Sequence, residues 1–184
     1  MKISVIIPTL NEEACLPSVL SALGGDEFVA EVIICDGGSV DATLALARDA
    51  GAQVIETDLG RGQQLCAGAA KASGDVLWFL HADTVPGAGA PKAILHSLEQ
   101  SPRSPGGNFR VEFEGDSEFS EWLTGFYAWL RSIGVYYGDS AVFVRRKAYE
   151  KMGGLLATAL MEDYEFTRRL ERAGPTLNID HPAV

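Results

Sequence analysis

Acidic side chains stand where the apolar runs of this sequence stop. Val5-Ile6-Ile7 is a buried-strand pattern closed by Pro8, and Glu12 follows a few residues on. "EVIICD" (31–36) ends in Asp36, and "DVLWFLH" (75–81) runs into Asp83. Farther along, Glu162 and Asp163 open the helical pattern "MEDYEFTRRLERAG". A buried strand needs no acid at its exit, whereas in an open parallel sheet ligands collect beyond the carboxyl ends of the strands. Asp36 can accept hydrogen bonds from a base or a ribose. The glycines of "DGGSVD" (36–41) permit close backbone approach, although the stretch matches neither common phosphate-loop pattern, and Ser39 can simply cap the next helix. Each acid alone has a bland reading as a cap or a solvated turn. Their collection at one edge argues for a site.

The elements that must position these acids alternate strictly. "NEEACLPSVLSALGG" reads as a helix with Asn11 as N-cap, Glu12 and Glu13 at its positive end and Gly24 as C-cap. After the strand at 31–36 come a helix "SVDATLALARDAG", a strand at 52–57, a helix "GRGQQLCAGAAKASG" and the strand at 75–81. Near-continuous apolar strands alternating with helices predict a mostly parallel central sheet with helices on both faces. Past residue 86 the pattern loosens. It gives a helix "APKAILHSLEQ", an alternating and antiparallel strand in "SPRSPGGNFRVEFEG", and an aromatic-rich helix "SEFSEWLTGFYAWLRSIG". A strand "SAVFVRR", a short helix "RKAYEKMGG", the helix led by Glu162 and Asp163, and a last strand "TLNID" complete the chain. With no repeat or linker, the expectation is one domain in two halves, 1–86 and 87–184.

Composition narrows the function. Apolar residues are 47% of the chain, enough to build a core. The formal charge of −10 disfavours nucleic acid and polybasic membrane binding. An acidic protein that handles phosphates calls for a divalent cation between the two. Cys15, Cys35 and Cys66 each fall in an apolar pattern and read as buried free thiols of a reducing compartment. The N-terminal run is too short for a signal peptide, and no window approaches a transmembrane span, so a cytoplasmic location is expected. In the aromatic helix, Phe119, Trp122, Leu123, Phe126, Trp129 and Leu130 recur at helical spacing. Core packing is the default for them, with a sugar-stacking or lipid-facing surface as the other option, and hence a possible location peripheral to the inner face of a membrane.

"VIIPTLNEE", "EVIICDGGSVDAT", "GDVLWFLHADT" and "MEDYEFTRRL" together resemble, in order and spacing, the inverting glycosyltransferases of family 2 with their Rossmann-like, nucleotide-diphospho-sugar transferase (GT-A) fold. The resemblance runs from about residue 2 to 174. It implies that Pro8, Thr9 and Glu12 line a nucleotide pocket and that Asp36 pairs with the base. It implies that Asp83, the last acid of a D-x-D element, holds a divalent cation (Mn²⁺ or Mg²⁺) on the donor diphosphate, and that Asp163 is the catalytic base with Glu162 beside it. Gly138 and Asp139 of "VYYGDSAVFVRR" fall in the acceptor-side segment. The first acid of D-x-D is His81 here, a residue equally readable as a ribose or metal contact and as a strand-end histidine. His181 is a further candidate for the metal shell.

These roles make physical sense together. A departing diphosphate needs its charge stabilised, and a cation held by a hard carboxylate does that. Arg61 can add a positive contact to phosphate, although a solvated helix-start arginine is the plainer reading. The expected function is transfer of a sugar from a UDP- or GDP-sugar to an acceptor hydroxyl, free or lipid-linked, with inversion. An inactive sugar-nucleotide-binding domain is the alternative. A nucleotidylyltransferase would need a Gly-rich, basic loop after the first strand, and "PTLNEEACLP" has neither feature.

Overall fold

In the computed structural model, residues 1–157 and 161–183 are described, with side chains up to residue 180. The elements follow the expected order: β1 (Ile3–Thr9), α1 (Leu16–Leu23), β2 (Val29–Asp36), α2 (Thr43–Asp49), β3 (Gln53–Glu56), α3 (Arg61–Lys71) and β4 (Val76–Phe79). Then come α4 (Ala90–Gln100), β5 (Gly106–Val111), α5 (Glu118–Ser132), a 3₁₀ turn (Gly138–Ser140), β6 (Phe143–Arg145), α6 (Arg146–Lys151), α7 (Glu162–Ala173) and β7 (Leu177–Ala183). The strands form one seven-stranded sheet in the order β3-β2-β1-β4-β6-β5-β7. The pairs β3–β2, β2–β1, β1–β4 and β5–β7 are parallel, while β6 runs antiparallel to both β4 and β5.

Two apolar layers flank this sheet, because its strands are apolar on both faces. On one side Ile3, Val5, Ile7, Ile34 and Trp78 pack against Val19 and Leu23 of α1 and Ile94 and Leu98 of α4. On the other, Ile6, Ile33, Leu77 and Phe79 pack against Leu65 and Ala69 of α3 and Phe166 and Leu170 of α7. Side chains of this kind, fully buried, each contribute roughly 1.5–3 kcal/mol.

Four local expectations are corrected. The first helix begins at Leu16, not at Asn11, because Pro17 in its first turn presets the helical φ. Asn11 takes a left-handed φ of 57° and accepts a hydrogen bond from Val40 N at 2.9 Å. Glu12 and Glu13 therefore sit in the β1–α1 turn, facing the loop after β2, and Cys15 is exposed rather than buried. The alternating strand after "SPRSPGG" is antiparallel to β6 but parallel to β7. The aromatic residues of α5 do not enter the core: Phe119, Trp122, Phe126 and Trp129 are all exposed.

Candidate active site

The antiparallel pairing of β6 with β4 explains how distant segments meet. Trp78 pairs with Phe143, so the residues preceding β6 lie beside those following β4. Phe79 N donates to Val142 O at 2.8 Å, and Trp78 Nε1 donates to Ala141 O at 3.0 Å. The 3₁₀ turn carrying Gly138 and Asp139 is thereby set against the turn His81–Thr84, closed by Thr84 N to His81 O at 3.2 Å. A Cβ at Gly138 would stand 2.9 Å from His81 Nε2 and 3.2 Å from Asp163 Oδ2. Only glycine lets the two segments approach this closely.

The start of α7 is tied to the same place. Asp163 Oδ2 accepts from Gly138 N at 3.0 Å, Asp163 Oδ1 accepts from Tyr164 N at 2.7 Å, and Thr167 Oγ1 donates to Tyr136 O at 3.1 Å. Arg61, the first residue of α3, pairs with the buried Glu162 and lies 3.5 Å from Asp163 Oδ2. It is thus half-buried and partnered, not a solvated helix start. The attraction of Glu162, Asp163 and Asp139 outweighs the effect of burial and holds its pKa above the ordinary arginine value.

These pieces enclose a cleft of about 840 Å³. Arg61, His81, Asp83, Asp139 and Asp163 line it, together with Tyr127, Tyr137 and the segment 111–114. Gly138 touches a small apolar pocket behind it, shared with His81 and Asp163. Burial, then the nearby Arg61, lowers the pKa of His81, which keeps its imidazole neutral at pH 7. Burial raises the Asp139 carboxyl, with Asp163 adding to the effect and the Tyr127 hydroxyl and His81 opposing it. Asp139 Oδ1 is buried with no hydrogen-bond partner, an unsatisfied acceptor that costs stability.

A second cluster forms at the ends of β1 and β2, outside the lining of this cleft. Asp36 is fully buried, and its carboxylate accepts from Thr9 Oγ1 (2.9 Å), Gly38 N (2.9 Å), Ser39 N (2.8 Å) and Ser39 Oγ (2.5 Å). Burial alone would raise its pKa; the bonds from Ser39, Gly38 and Thr9 outweigh that and hold it low. Pro8 is buried beside Thr9 at the end of β1. Glu12 bridges the two clusters electrostatically: burial raises its pKa, and so do the charges of Asp83 and Asp41.

The donor set bears on the expected cation. Among the described residues, no group of three acidic, histidine or cysteine side chains could hold a metal ion by itself. The cleft lining carries Asp83, Glu112, Glu114, Asp139 and Asp163 against a single basic residue, Arg61, already paired. A diphosphate entering so acidic a cleft needs a cation between itself and the wall. Exposed Asp83 fits as one hard ligand of an ion whose other ligands come from the phosphates. The side chain of His181 lies outside the described residues.

Some of the site was not foreseen. Tyr127 and Tyr137 gave no signal within an aromatic-rich region. Gln64 did carry one, as a glutamine on the apolar side of α3. It is buried and donates to Thr9 O at 2.8 Å and Cys35 O at 2.7 Å, bracing the two strand ends.

With this geometry in hand, comparison with known proteins identifies the class. The family model for glycosyl transferase family 2 matches residues 4–153. The chain belongs to that family, whose members transfer sugars. Glucosyl-3-phosphoglycerate synthase of Mycobacterium tuberculosis is 35% identical over 94 residues, covering 45% of this chain and 29% of that protein. Glycosyltransferase AglJ of Haloferax volcanii is 42% identical over 62 residues, covering 33% of this chain and 20% of that one. The match thus spans under a third of the length of these relatives. The Mycobacterium tuberculosis synthase, solved in complex with Mn²⁺ and uridine-diphosphate-glucose, superposes with a TM-score of 0.72 at 20% identity, covering 100% of this chain and 70% of that one. S. aureus TarS does so with a TM-score of 0.72 at 16% identity, covering 98% and 35%. The fold is the GT-A fold.

Proposed function

We propose that this chain transfers a sugar from a nucleoside-diphosphate sugar, UDP- or GDP-linked, to an acceptor hydroxyl with inversion at the anomeric carbon. One observation carries the reading. A single cleft is lined both by the acid at the exit of β4, Asp83, and by the acid in the first turn of α7, Asp163. The first suits a cation on the diphosphate, and the second suits deprotonation of an acceptor. Solved neighbours that hold Mn²⁺ with UDP-glucose, or with UDP, support a cation-bound nucleotide-sugar donor.

In this proposal the half 1–86 binds donor and the half 87–184 binds acceptor. Pro8, Thr9, Glu12 and Asp36 shape the nucleotide end, Asp36 chiefly by ordering the backbone of its own loop. A bound Mn²⁺ or Mg²⁺ would supply Lewis-acid stabilisation of the leaving diphosphate, held by Asp83. Asp163 takes the acceptor proton. Gly138 N donates to its Oδ2 and orients it. Glu162 anchors Arg61, which keeps a positive charge at the diphosphate side. Asp139 and Gly138 contact the acceptor, and neutral His81 adds a donor-side contact. The relatives' names include a phosphoglycerate product and an undecaprenyl-phosphate sugar transferase, so free and lipid-linked acceptors both fall within the proposal. No helix among the described residues is long and apolar enough to cross a membrane. We place the protein in the cytoplasm. A location on the inner membrane face would require α5 to bind lipid, a surface assigned otherwise below.

A second reading, a sugar-nucleotide binder without turnover, is favoured by the pairing of Asp163 with both Arg61 and Gly138 N. Nucleotide release from a panel of sugar donors separates the two. Wild-type protein should turn over, by transfer or slow hydrolysis. Asp163→Asn should lose about 10²–10⁴-fold in kcat with donor affinity nearly unchanged. Full activity in Asp163→Asn, with its circular dichroism spectrum intact, would remove the base; no turnover in wild type would favour the binder.

A further inference from the structure

α5 turns its apolar side the wrong way for a core helix. Its inner side is polar or half-polar and fastens it to the domain. Thr124 Oγ1 accepts from Phe113 N at 3.1 Å, and Arg131 donates to Asn108 Oδ1 at 2.7 Å and Ile179 O at 2.8 Å. Its outer side carries Phe119, Trp122, Phe126, Trp129 and, just past its end, Ile133, which are 67, 59, 38, 55 and 56% exposed. Their rings form a ladder, with centroids 6.0, 5.3 and 5.9 Å apart in sequence.

The spacing of these residues is 3-4-3-4, the a/d pattern of a helix that packs along a second helix. It is nearly self-complementary about Phe126: reversed, position 133 falls on 119 and position 129 falls one residue from 122. Gly125 flanks the midpoint. A mid-helix glycine costs roughly 1 kcal/mol against alanine. Nothing lies within 4 Å of where its Cβ would be, so the chain's own packing does not call for it. A helix closing on the seam would.

We propose that the partner is a second copy of this chain, docked through α5 in antiparallel, two-fold fashion. A self-complementary stripe meets itself under such an axis. The charges select the direction. Antiparallel docking brings the acidic first turn, Glu118 and Glu121, toward the end of α5 where Arg168 donates to the Gly134 carbonyl. Parallel docking would set acid on acid. Four rings and an isoleucine, each about half exposed, bury on the order of 1,000 Å² over the two copies, the threshold for a specific interface. A membrane is the weaker occupant, because lipid-bound helices present Lys and Arg beside the apolar face. Here the only basic residue of α5, Arg131, is tied inward. The inference does not depend on the transferase reading.

Sedimentation equilibrium of the whole 19.7 kDa chain tests it. A dimer of twice that mass is expected. Phe126 faces itself across the axis, so Phe126→Glu and Phe126→Lys should each weaken association by about 30-fold or more, as for a central hot spot. Mixing the two variants should restore a dimer by pairing opposite charges, an outcome that neither misfolding nor an unrelated interface would produce. A wild type that remains monomeric up to about 1 mM, the weak end of the affinity scale, would overturn the proposal. So would a dimer indifferent to Phe126→Glu, or a monomer that cosediments with phosphatidylcholine vesicles, which would assign the ladder to lipid.

Discussion

Asp36, fully buried, and Asp139, half-buried with one oxygen enclosed, both stand near the carboxyl edge of one sheet, yet they are kept in opposite ways. Asp36 is saturated: its two oxygens accept bonds from Thr9, Gly38 and Ser39, and its pKa is held low. Asp139 is short of partners: one oxygen is buried with none, and its pKa is raised. The first acid is spent on architecture, fixing the loop after β2. The second lines the cleft with one oxygen unpaired. A buried carboxylate that is fully bonded stabilises the fold, whereas one with an unsatisfied buried oxygen costs stability.

Stability measurements separate the two. The largest effect is expected for Asp36→Ala, which removes the acceptor for the buried Thr9 hydroxyl and for the half-buried Ser39 and exposed Gly38 donors. Loss of bonds to a charged group should cost about 3 kcal/mol, or roughly 6–12 °C in Tm for a chain of this size. An unchanged Tm would show that the loop does not need its carboxylate. Asp139→Asn should leave Tm level or slightly higher while impairing acceptor use. A fall in Tm comparable to that of Asp36→Ala would erase the contrast.

Titration sharpens it further. An acid with a lowered folded pKa contributes stability above its unfolded value, about 3.9, and loses it as pH falls through the folded pKa. An acid with a raised folded pKa costs stability as pH rises from about 3.9 through its folded value. Thermal melts should therefore show the deficit of Asp36→Asn nearly constant from about pH 5 to 7 and shrinking as pH falls below about 4. The advantage of Asp139→Asn over wild type should instead grow as pH rises above about 4. Parallel curves for both variants would contradict the assigned directions. The smallest effect is expected for Glu162→Gln. It weakens the anchor of Arg61 but leaves Asp163 in place, so its loss of kcat should fall well short of that in Asp163→Asn. Equal losses would move the base role to Glu162 or to the pair.

Much of this was legible in the sequence because it rested on strong periodic signals. The apolar runs at Val5–Ile7, 31–36 and 75–81 fixed the strands, and acids at their exits marked the working edge. What stayed hidden depended on contacts between distant segments. That Arg61 meets Glu162 and Asp163 follows from the packing of α3 and α7 on one face, which no local pattern states. Asn11 looked like a cap because Asn-Glu-Glu favours helix starts, but Pro17 decided where the turn began. The ladder on α5 was misread as core because helical periodicity gives the width of an apolar face, not the direction in which it points.

Donor binding tests the central claim most directly. Thermal-shift measurements with UDP- and GDP-sugars, with and without Mn²⁺, should show stabilisation by one nucleotide class only when the cation is present. At 100 times Kd the gain should be about 2.7 kcal/mol, or roughly 5–11 °C, and Asp83→Ala should abolish it without unfolding the protein. If no nucleotide sugar raises Tm, or if EDTA and Asp83→Ala leave the shift unchanged, the cleft does not hold a metal-bridged donor and the account fails.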